Sequence, residues 1–96
     1  MIATSTYLAK RGASLRALDQ EIRMLTNYAA LEIPESAVKY REAVRGLQAT
    51  RDAVAGKLRK LRAVRGNEWS VQAAMNDVED AWNDVRDAVC AAIAAI

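Results

Sequence analysis

Apolar residues recur at alternating steps of three and four along three long segments of this chain, and two short breaks separate the segments. The first stripe is Leu8, Arg11, Leu15, Leu18, Ile22, Leu25 and Ala29. The second is Tyr40, Val44, Leu47, Arg51, Val54, Leu58, Leu61 and Arg65, and the third is Val71, Met75, Val78, Trp82, Val85, Val89 and Ile93. Steps averaging 3.5 residues keep a stripe on one face of an α-helix, whereas a strand alternates every two residues and cannot produce them. The pattern therefore predicts three amphipathic helices.

Both breaks carry stop and start chemistry. Pro34 has no amide hydrogen to donate and holds Ile33 in an extended conformation, yet it suits the first turn of a new helix. Glu35 beside it complements the positive end of the helix dipole. Gly66 is the natural residue after a helix end and Asn67 a natural cap for the next helix, with Arg62 and Arg65 before them and Glu68 after. At the start of the chain, Thr4, Ser5 or Thr6 is expected to cap the first helix. The expected helices span about 5–32, 34–65 and 68–95, each roughly 42 to 48 Å long. Matched lengths and short connections predict one all-α domain over residues 1–96, an antiparallel up-down-up three-helix bundle with coiled-coil-like heptad packing. The alternative is an extended helical hairpin that buries its seams only on dimerising.

Of 96 residues, 52% are apolar, and with no Phe they are mainly Ala, Val and Leu, a mixture that lets helices approach closely. The net charge of +2 is too small to imply a polyanionic partner. It is unevenly spread, at +1 over residues 1–33, +6 over 34–66 and −5 over 67–96. The single cysteine, Cys90, has no partner within the chain, and residues 1–12 lack a basic stretch followed by an apolar run. A cytoplasmic location is the expectation.

No catalytic, cofactor or metal site is expected, and the chain reads as non-enzymatic. It contains no His, which removes the commonest general base and zinc ligand together. Its four glycines are isolated at positions 12, 46, 56 and 66, so no phosphate-binding loop is present. Residues 15–22, LRALDQEI, resemble the first helix of the all-helical chorismate mutases over about a dozen positions, a resemblance that would imply a site using Arg and Lys on bundle helices. The chain departs from that family at residues 27–32, which lack the Arg expected there, and at Pro34, which interrupts the helix.

Function is therefore sought on helix faces. In antiparallel register Arg51 falls level with Leu15 and Trp82, so Arg51 and Trp82 are expected to form a buried polar seam. The guanidinium would lie on the indole ring or turn out to Asp19 or Glu79. Trp69 stands apart from the third stripe, and is read either as a shield over the Gly66 turn or as a partner anchor. Met24, Tyr28 and Leu31, with Ala17, lie roughly opposite the first seam and predict a homodimer through the first helix. Gly46 and Ala53 belong to a line of small residues that also includes Ala49, Gly56 and Ala63, and would let another backbone come close. A protein partner or a second copy is the expected ligand. The alternative is a basic-helix module for nucleic acid or an anionic lipid surface, resting on Lys57, Arg59, Lys60 and Arg62. These side chains spread around the helix without interleaved aromatics, so neither nucleic acid nor membrane is the expected partner.

Overall fold

The computed structural model describes residues 4–95, which form three helices: α1 (Thr4–Leu31), α2 (Pro34–Ala63) and α3 (Glu68–Ala95). No strand occurs among the described residues, and the helices pack against one another. The body measures 53 × 17 × 17 Å, a rod slightly longer than any one of its helices. No helix among the described residues is long and apolar enough to cross a membrane.

The boundaries follow the chemistry of the breaks. Ile33 is extended (φ −65°, ψ 154°), and its carbonyl accepts from the amides of Ser36 and Ala37 at 3.0 and 2.9 Å. Pro34 thus opens α2 where its missing donor costs nothing. α2 ends two residues before the expected Arg65, because Val64 turns extended (ψ 127°) while its amide still bonds the Leu61 carbonyl at 3.2 Å. Gly66 takes φ 140°, a backbone region closed to residues with a Cβ, which is why the turn needs glycine there. Asn67 caps α3, its Oδ1 accepting from the Ser70 amide at 2.9 Å and the Ser70 hydroxyl at 3.2 Å. Ser5 and Thr6 lie inside α1 and so do not cap it; Thr4 is its first described residue.

Leu15, Leu18 and Ile22 of α1, Leu47, Val54, Leu58 and Leu61 of α2, and Met75, Val78 and Val85 of α3 form one buried cluster. Val54 and Val78 are wholly buried at its centre. Most stripe positions point inward, but two do not. Arg65 lies exposed beyond the end of α2, and Ile93 is 72% exposed while its neighbour Ala92 takes the buried place. The alternation of four and three that runs from Val71 to Val89 continues by a step of three to Ala92, so Ala92 is the seam position and the step of four from Val89 to Ile93 leaves the seam. Ala29 and Ala37 are buried on either side of the α1–α2 turn, where small side chains suit a close approach.

Candidate functional site

α2 packs against both α1 and α3, whereas among the described residues α1 and α3 come no closer than 8 Å between Cα atoms. Among the described residues, the polar side-chain contacts that bridge this gap lie in the N-terminal halves of α1 and α3. Arg11 donates from Nε and Nη2 to the two carboxylate oxygens of Glu79 at 2.8 and 2.6 Å, a forked pair. The Tyr7 hydroxyl donates to Glu79 Oε2 at 2.5 Å. The Arg11 guanidinium carbon also lies 5.3 Å from the Trp82 ring centre and 5.9 Å from that of Tyr7, so both rings lie within cation–π range. Four side chains thus clip α1 to α3.

The clip shifts its own titrations. Arg11's hydrogen bonds, with help from the Tyr7 hydroxyl, hold the Glu79 carboxyl below its usual value of 4.5 despite the opposing effect of burial. Burial, and then the hydrogen bond to Glu79, push the Tyr7 phenol up. A folded-state value below the unfolded one means that the pair stabilises fully above the unfolded value and is lost as pH falls through the folded one. Glu79 is 45% exposed, so solvent screens the gain to about 1 kcal/mol or less. Glu79→Gln is therefore expected to cost that much at pH 7 and almost nothing near pH 3. Urea midpoints at the two pH values measure it, and a cost that stays constant with pH would refute the assignment.

Arg51 does not rest on Trp82. Its Nε and Nη2 donate to Asp19 at 2.8 and 3.2 Å, with Asp52 at 3.4 Å from Nη1, and the indole ring is occupied by Arg11 instead. Neither Arg51 nor Trp82 is fully buried, and no polar side chain is buried among the described residues. The expected buried polar seam is replaced by two half-exposed ion pairs, because each guanidinium reaches the rim, where its carboxylate stays hydrated.

Beyond the clip the α1–α3 gap opens into an apolar groove of about 370 Å³, lined by Leu18, Glu21 and Leu25 of α1, Leu47 of α2, and Val89, Ala92 and Ile93 of α3. Tyr7, Glu21 and Tyr28 are multiples of seven residues apart and share one line of α1. Tyr7 on that line reaches α3, whereas the Tyr28 ring meets Tyr40 of α2, with centres 6.4 Å apart and planes tilted by 50°. Tyr40 precedes Leu47 by seven residues and so lies on the same line of α2, one heptad nearer the α1–α2 turn.

The other expected contact residues are dispersed. Met24, Tyr28 and Leu31 are exposed at 48, 49 and 85%. They stand beside the groove, since Met24 follows Glu21 by three residues and Tyr28 follows Met24 by four. Trp69 is 78% exposed and does not fold over the Gly66 turn as a shield. Gly46 and Ala53 are exposed, and a Cβ added at Gly46 would meet nothing within 4 Å. Arg59, Lys60 and Arg62 are exposed and Lys57 half-buried. Among the described residues no group of His, Cys, Asp and Glu is placed to hold a metal ion. Comparison with protein families, with curated proteins and with solved structures finds no match to this chain.

Proposed function

We propose that this chain is a non-enzymatic cytoplasmic protein-contact module, an antiparallel up-down-up three-helix bundle with heptad seams that receives an apolar helix face in its α1–α3 groove. The observation carrying this reading is the groove itself, where Leu18, Leu25, Leu47, Val89, Ala92 and Ile93 leave about 370 Å³ of space with Glu21 as its one charged wall. An amphipathic helix presents apolar residues at spacings of three, four and seven, and a trough between two helices accepts such a row. The trough offers mainly apolar contact, with the Glu21 carboxylate as the one charged group among its lining residues. The basic face of α2 supports the alternative of an anionic polymer or lipid less well, because successive charges at 59, 60 and 62 point in different directions.

A photo-crosslinking residue in place of Ile93, on the groove lip, is expected to yield protein adducts in native extract. The same residue in place of Arg45, on the exposed side of α2, is expected to yield few. Equal labelling at both positions, or none at 93, would sink the proposal. Retention on heparin at about 150 mM salt would favour the alternative.

A further inference from the structure

We infer that the helix filling the groove is α1 of a second copy of this chain, in a two-fold arrangement where each copy's α1 lies in the other's groove. This rests on the groove being a protein-contact site, and two observations select the occupant. The first is area. The chain exposes 6562 Å² at a mass of 10.5 kDa, whereas a compact monomer of that mass exposes about 5,400 Å². The excess of about 1,100 Å² exceeds the ~800 Å² that each partner buries in a standard interface. One long side of the 53 × 17 Å body supplies about 900 Å².

The second is that one surface carries both halves of the contact. α1 provides a wall of the groove through Leu18 and Leu25, and beside it an apolar strip, Ala17, Met24 and Leu31, exposed at seven-residue intervals. A foreign helix in the groove would leave that strip in water. A second copy covers strip and groove together, as a self-complementary two-fold contact requires.

Sedimentation equilibrium of the intact chain from about 1 to about 300 µM tests this. A monomer–dimer equilibrium is expected, with a dissociation constant raised at least tenfold by Met24→Glu on the strip and by Ile93→Glu on the groove lip. Both positions are exposed, so both variants are expected to keep the parent's helical circular dichroism, which verifies that they fold. Cys90, exposed one turn before Ile93, is expected to react more slowly with an aromatic disulfide in the dimer than at dilution. A monomer throughout the range overturns the inference, as does a dimer indifferent to both substitutions. If the chain is monomeric but the crosslinker at position 93 still captures another protein, the second-copy occupant falls and the groove reading stands. If position 93 captures nothing, both fall.

Discussion

Val78→Asp is expected to abolish folding. Val78 is wholly buried, and with Val54 it occupies the middle of the cluster shared by all three helices. No polar side chain is buried among the described residues, so an introduced carboxylate finds no partner at that depth. Burying an unpaired charge costs several kcal/mol even after the group takes up a proton. Lost packing adds to this, and a domain of about this size is stable by only about 5 to 10 kcal/mol. Circular dichroism at 222 nm should show the helical signal gone or the cooperative melt lost at 25 °C. A melt within a few degrees of the parent's would mean that the centre of the protein is not where Val54 and Val78 place it. Val78→Ala is the graded companion, expected to cost about 1 to 3 kcal/mol through the cavity it leaves.

Arg11→Ala is expected to be the most destabilising substitution among the charged side chains. It removes two charge-assisted hydrogen bonds to Glu79 and the cation held near Tyr7 and Trp82. With Arg11 13% and Glu79 45% exposed, the loss is about 2 kcal/mol, or roughly 10 °C in Tm for a chain of this length. Arg51→Ala breaks a similar fork to Asp19, yet α1 and α2 already pack closely without it, and its cost should stay under about 1 kcal/mol. Calorimetry of the two variants side by side decides the matter. Equal losses would show that the α1–α3 clip does no more than an ordinary surface ion pair.

The three helices and their boundaries were legible because turn chemistry acts locally: a proline without a donor, a glycine at positive φ and an asparagine cap each act within a few residues. The inward faces were legible from the spacing along each helix, except at the end of α3, where a second step of four points to Ile93 and the regular step of three to the buried Ala92. Pairings between helices were not. Asp19 and Glu79 both stood as partners for Arg51, but only the register of α1 against α3 gives Glu79 to Arg11, and spacing along a single helix contains no register between two. The groove was hidden for a related reason. It exists because α1 and α3 stay apart beyond the clip, a distance set by how both lie on α2 and encoded in neither stripe alone. What the sequence did carry was the surplus, the Met24, Tyr28 and Leu31 row for which one seam has no use, and that row borders the groove.

The absence of close backbone contact between α1 and α3 also shapes how the chain reaches this state. Each close helix interface joins neighbours in sequence, so a folding chain need only bring together segments separated by a short turn. Local contacts of this kind favour folding in microseconds to milliseconds. α2 is the shared partner of two hairpins, either of which can form first, while the clip of Tyr7 and Arg11 onto Glu79, spanning 72 and 68 residues, has the largest loop to close. The groove, whose walls come from α1 and α3, therefore takes its shape only when both hairpins have formed on α2.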